Sequence, residues 1–143
     1  MNGRILNLHL KPEHEAPMQP VAQAVAVAGM GFQGDVSHGR EKRQVLLIEN
    51  ETLQEFRLEP GIVRENMTVS GVALAGLPAG TRLQAGEVIF EVTMDCAPCE
   101  LIEALRPGLQ AAMEGRRGTL VKVVEGGQVR VGDEIAVLQA EPA

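Results

Sequence analysis

The sequence has no tryptophan and no tyrosine, and three phenylalanines are its only aromatic residues. Binding of single-stranded nucleic acid leans on aromatic stacking platforms, so this shortage argues against it. Net positive charge is also missing: 13 lysines and arginines against 19 acidic residues give −6 at pH 7. A general nucleic-acid or anionic-membrane surface needs the opposite sign. No run approaches the ~18 apolar residues that span a bilayer. The opening Met1-Asn2-Gly3-Arg4 lacks the apolar core of a signal peptide. The expectation is a cytoplasmic protein with neither nucleic acid nor membrane as partner. Cysteine is scarce as well. With two of them in a reducing compartment, a structural disulfide is disfavoured, and a functional or simply buried thiol is favoured.

What is present describes one small β domain. A chain of 143 residues, 45% hydrophobic, suits a single domain over 1–143 whose core is filled by Val, Leu, Ile, Ala and Met. Sixteen glycines punctuate short apolar stretches, most with a period of two or reading as short buried runs. Strands are expected over Gly3 to Leu10, Val21 to Ala28, Arg43 to Ile48, Met67 to Ser70 and Glu134 to Leu138. In the second of these, Val21, Val25 and Val27 share one parity, as in a half-buried strand. Lys11 to Pro20, with three prolines, reads as a loop. Leu83 to Val92 contains a Gly86 turn followed by Val88, Phe90 and Val92 on one face. Val121 and Val123 lead through Gly126-Gly127 to Val129 and Val131, the pattern of a hairpin with a two-residue turn. Ala85-Gly86-Glu87-Val88 and Val131-Gly132-Asp133-Glu134-Ile135 read as one turn used twice.

Three short helices are expected: Glu49 to Leu58 with Asn50 as N-cap, Glu100 to Leu105, and Leu109 to Met113 beyond Pro107-Gly108. Many short strands with a few helices, and no β/α alternation, point to a β-barrel.

Cys96-Ala97-Pro98-Cys99 falls between an expected strand and an expected helix. A helix start favours negative charge on a sulfur placed there, and Pro98 fits just before it. Both cysteines can also be small hydrophobes in a tight bend. Among functional readings zinc is the weakest: one CxxC supplies two ligands, and His9, His14 and His38 have no finger-like spacing. A thioredoxin-type dithiol would need βαβ flanks. A single reactive or metal-binding Cys99, with Cys96 beside it, is the third reading.

Two further segments can carry chemistry. Gly31 to Gly39 holds three glycines around Asp35 and His38, where Asp35 either orients His38 or satisfies the loop's own N–H groups as an Asx-turn. Its spacing does not fit a dinucleotide or P-loop motif. Arg64 to Gly71 offers Arg64, Asn66, Thr68 and Ser70 as charged and neutral donors for a phosphate or pterin edge.

Read in order, GFQGDVSHG, RQVLLIE, RENMTVSG, LQAGEVIFEVT, CAPC and GRRGTLVKVVEGGQVRVGDEI resemble the MOSC domain, named for the C-terminal domain of molybdenum cofactor sulfurases. The resemblance runs from about residue 21 to 135. It implies a mainly β, MOSC-type barrel in which Cys99 inherits the family's central cysteine, as metal ligand or persulfide carrier. It further implies molybdenum cofactor (Mo-molybdopterin) as ligand and Asp35, His38, Arg43, Arg64, Asn66, Thr68, Cys96 and Arg117 as its pocket. The basic residues Arg40, Lys42, Arg43, Arg64, Arg116 and Arg117 are candidates for the pterin phosphate. Implied partners are a cysteine desulfurase or an electron-transfer protein, with pyridoxal phosphate entering only through a separate sulfurase. The 143 residues are expected to leave no room for the Schiff-base lysine domain of fused sulfurases or the extra module of complete N-hydroxyl reductases. Beside this reading stand a non-catalytic cofactor-delivery module and a Cys96/Cys99 dithiol redox protein.

Overall fold

The computed structural model describes residues 2–138, so Met1 and residues 139–143 of the expected single domain lie outside it. Eleven strands and three short helices occur in the order β1 (Gly3–Leu10), β2 (Gln19–Val21), β3 (Gln23–Val27), β4 (Gly31–Phe32), β5 (Val45–Glu49), α1 (Asn50–Glu55), β6 (Met67–Ser70), β7 (Arg82–Ala85), β8 (Val88–Asp95), α2 (Glu100–Leu105), α3 (Leu109–Ala112), β9 (Thr119–Glu125), β10 (Gly127–Arg130) and β11 (Glu134–Val137). Seven strands, β11-β7-β8-β9-β5-β6-β1, close into a barrel through the pairing of β1 with β11. Neighbours are antiparallel except β5 and β6, which run parallel. Such a pair needs a crossover, and α1 lies within it. Closure removes the free edges that an open sheet would expose. The chain is a mainly β barrel protein.

The interior is built from the inward positions of these strands: Ile5, Val45, Leu47, Met67, Val69, Leu83, Val88, Phe90, Val121, Val123 and Ile135 are all buried. With so few aromatics, two phenylalanines supply the bulk, Phe32 and Phe90 meeting edge to face at 6.2 Å. A second cluster of Ile48, Leu53, Val63, Ile102, Leu109 and Met113 fastens the three helices outside the barrel.

Three expectations need correction. The face of β3 that enters the core is Ala24 and Ala26, whereas Val25 is 36% exposed. The register decides this: Ala24 lies opposite Val129 and Ala26 opposite Phe32, both fully buried residues of the barrel core.

Secondly, Gly126-Gly127 does not close a hairpin. Both edges of β9 are already taken, by β8 and β5, so β10 leaves the barrel and pairs with β3 in a separate β10-β3-β4 sheet. Thirdly, the N-cap of α1 is Glu49, not Asn50, and it makes no side-chain capping bond.

Candidate functional site

The site forms on the outer face of the barrel, and a fault in strand register puts it there. Strict alternation from Val88, Phe90 and Val92 would send Met94 and Cys96 inward. Instead the register between β8 and β9 shifts between Val92 and Met94. Such bulges re-aim the side chains that follow. Met94 is exposed, and Cys96 packs with Leu46 and Leu120 in a cluster apart from the barrel core. Leu46 lies between inward-facing Val45 and Leu47, and Leu120 precedes inward-facing Val121, so this cluster belongs to the outer surface.

These three residues line a cavity of about 270 Å³, completed by Lys11, His14, Met18, Asp35, Val36, Ser37, Arg40, Arg43, Arg64, Asn66, Arg117 and Leu101 of α2. The size is near the lower end of small-molecule sites, roughly 300–1,000 Å³. A more open groove of about 530 Å³ adjoins it and shares Lys11, His14, Met18 and Arg64.

The charge of the wall is the opposite of the chain's. Lys11, Arg40, Arg43, Arg64 and Arg117 line the cavity, against the single carboxylate of Asp35. That carboxylate is occupied: one oxygen accepts from the Lys11 N–H at 2.8 Å and Asn66 Nδ2 at 3.1 Å, the other from the Ser37 N–H at 3.1 Å. Arg117 is the exceptional member. It is 4% exposed, and its Nε and Nη1 have no hydrogen-bond partner. A buried guanidinium left in this state is costly, and an anion beside it relieves that cost. Arg64 is held at φ 65°, a left-handed conformation unusual for a side-chain-bearing residue, by a turn in which its N–H donates to the Gly61 carbonyl. The turn is pinned by Glu65, whose carboxylate accepts from the Gly61 N–H at 2.7 Å and the Thr68 hydroxyl at 2.9 Å.

Of the residues expected from the sequence, Asp35, Arg43, Arg64, Asn66, Cys96 and Arg117 come together on this cavity. Asn66 acts there as a staple: its Oδ1 accepts from the Leu46 N–H at 3.0 Å while Nδ2 donates to the His9 carbonyl at 3.1 Å. Asp35 takes the Asx-turn alternative rather than orienting His38, whose Nδ1 instead lies 3.2 Å from the Phe32 carbonyl. His38 and Thr68 do not line the cavity, and Thr68 is fully buried on Glu65. Cys99 occupies the N-cap position of α2 and is exposed, outside the cavity wall, between the lining residues Cys96 and Leu101.

Among the basic candidates Arg40, Arg43, Arg64 and Arg117 converge, and Lys42 and Arg116 do not. Arg116 donates a hydrogen bond to the Glu55 carboxylate, which lowers the Glu55 pKa and raises its own, and it lies over the Phe56 ring at 5.2 Å. Lys11, His14 and Ser37 are lining residues that the sequence did not single out as a pocket. Lys11 and His14 arrive on the proline-containing loop after β1, whose path no local pattern reveals.

A family model for the MOSC domain matches residues 34–136. The chain belongs to the MOSC domain family. Solved structures agree on the fold. The YuaD protein of Bacillus subtilis superposes with a TM-score of 0.80 at 21% identity, covering 94% of each chain. YiiM from Geobacillus stearothermophilus gives 0.77 at 18% identity, over 96% of this chain and 75% of that one. YiiM from Escherichia coli gives 0.74 at 17% identity, over 98% and 71%. Among curated proteins, none matches this sequence.

Proposed function

We propose that this MOSC domain handles molybdenum cofactor, the outer cavity taking the phosphate-bearing pterin and Cys99 carrying sulfur at its rim. The observation that supports the ligand class is the concentration of five cations on one cavity of an acidic protein, with the buried Arg117 guanidinium lacking partners. Arginine suits a phosphate, since its fork of donors matches the oxygens. The donor set fits such a group. Arg117, Arg43 and Arg64 would hold the phosphate, and Leu46, Leu120 and Leu101 would shelter the ring. When bound, the cofactor supplies oxygen-atom and electron-transfer chemistry at its metal.

Exposure favours the carrier role for Cys99 over that of metal ligand. A carrier has to meet its donor in solution. The Cys99 thiolate would attack the outer sulfur of a donor persulfide, such as that of a cysteine desulfurase. A new S–S bond forms at Cys99, the donor's S–S bond breaks, and the donor leaves as a thiolate. Peptide mass spectrometry after incubation with a desulfurase and cysteine tests this. One added sulfur on Cys99, absent from Cys99→Ala, is expected. A parent protein that stays unmodified, or is modified only at Cys96, contradicts it.

A further inference from the structure

We propose that the open groove beside the cavity is a second subsite, which takes the nucleoside end of a ligand whose diphosphate lies across Lys11 and Arg64. The inference rests on the anion-binding reading of the cavity and deepens it, because the ligand continues past its first phosphate into a second phosphate and a nucleoside. The groove measures about 530 Å³, against about 270 Å³ for the cavity. A single phosphate would leave most of it empty, whereas the space falls within the roughly 300–1,000 Å³ of small-molecule sites. Lys11, His14, Met18 and Arg64 line both spaces, so one ligand can pass from the cavity into the groove.

The order of charges along the groove selects the ligand class. Both of its Lys and Arg side chains, Lys11 and Arg64, stand at the boundary shared with the cavity. Of the described residues that line the groove alone, Glu15 is the one that carries charge. A matching ligand is anionic at the boundary and offers hydrogen-bond donors beyond it. The boundary cations are held in place. Lys11 Nζ donates to the Ala16 carbonyl at 2.8 Å, which uses one of the three ammonium donors. Arg64 keeps its left-handed conformation through the turn that the Glu65 carboxylate pins at the Gly61 N–H. Glu15 enters none of the ion pairs among the described residues, so its carboxylate is open to a ligand. A carboxylate accepts two neighbouring N–H groups at once, the edge that guanine presents. Ile62 lines the groove and is 41% exposed, an apolar wall for the flat face of a base.

The test compares pyrophosphate with guanosine diphosphate by calorimetry, at one pH and one salt concentration, on the parent, Glu15→Gln and Ile62→Ser. Both substituted positions are exposed, and circular dichroism confirms that each variant is folded. In the parent, guanosine diphosphate is expected to bind roughly tenfold or more tighter than pyrophosphate, through the covered apolar wall and the bonds to Glu15. Within each variant the ratio of the two dissociation constants should shrink toward one. Pyrophosphate that binds the parent as tightly as guanosine diphosphate overturns the inference and leaves the cavity reading standing. A ratio that is the same in both variants as in the parent overturns it too, since the nucleoside would then sit elsewhere. If pyrophosphate does not bind the parent, the cavity reading falls and the inference falls with it.

Discussion

Replacing Arg117 by methionine is expected to stabilise the ligand-free protein while destroying its response to anions. Two buried guanidinium nitrogens have no partner. Each unsatisfied buried donor costs ~1–3 kcal/mol, and exchanging buried charge for an apolar side chain of similar length often gains ~1–4 kcal/mol. Methionine retains most of the packing of the stem, so a gain of about 1–3 kcal/mol is expected. For a chain of this length that is roughly 3–12 °C in melting temperature. Pyrophosphate at 100 times its Kd should stabilise the parent by ~2.7 kcal/mol and the variant hardly at all. The order of the two melting curves therefore closes or reverses when the anion is added. Thermal unfolding by circular dichroism, in buffer free of phosphate and sulfate, reads both effects. A variant that is less stable than the parent, with both responding equally to the anion, would refute the reasoning. Arg117 would then be an ordinary structural arginine.

Other consequences concern the backbone and the helices. Arg64 holds φ 65°, so Arg64→Gly should be about 1 kcal/mol more stable than Arg64→Ala in urea titrations, although both lose pyrophosphate affinity. Gly118 follows Arg117 at φ 143°, and a Cβ there would meet the Leu47 carbonyl at 2.9 Å. Gly118→Ala is therefore expected to cost at least ~2 kcal/mol and to weaken anion binding by displacing Arg117, as urea titration and calorimetry would show. Glu103 accepts from the backbone N–H groups of Gly108 and Gln110, which hold its pKa below the ordinary 4.5. A lowered carboxylate pKa stabilises the fold above its unfolded value and loses that contribution as pH falls through the folded value. The stability difference between parent and Glu103→Gln should thus be present at neutral pH and narrow as pH drops below 4.5 in pH-dependent urea titrations.

The fold was legible where strands carry their own pattern. Val88, Phe90 and Val92 alternate because one face of β8 fills the barrel, and Gly86 marks the turn before it. What depends on neighbouring strands left no local sign. The destination of β10 was hidden because β9 is already paired on both edges, and the inward face of β3 was hidden because it is set by register with Val129 and Phe32 on neighbouring strands. The site was legible in part through its donors: Arg43, Arg64, Asn66 and Arg117 do converge with Asp35 and Cys96. The place of Cys96 depends on the register shift after Val92, which the sequence does not announce. Lys11 and His14 reach the cavity along a loop tied by the Lys11 N–H to the Asp35 carboxylate, 24 residues away in sequence, and by the Lys11 ammonium to the Ala16 carbonyl.

The central claim is that the cationic cavity holds the pterin of molybdenum cofactor. Its most direct test is molybdenum and oxidised-pterin analysis of protein purified from a cofactor-competent host, beside Arg117→Met. Molybdenum and pterin fluorescence together in the parent, and lost in the variant, is the predicted result. A folded parent from such a host that carries neither signal, or a variant that carries both as fully as the parent, would contradict the claim.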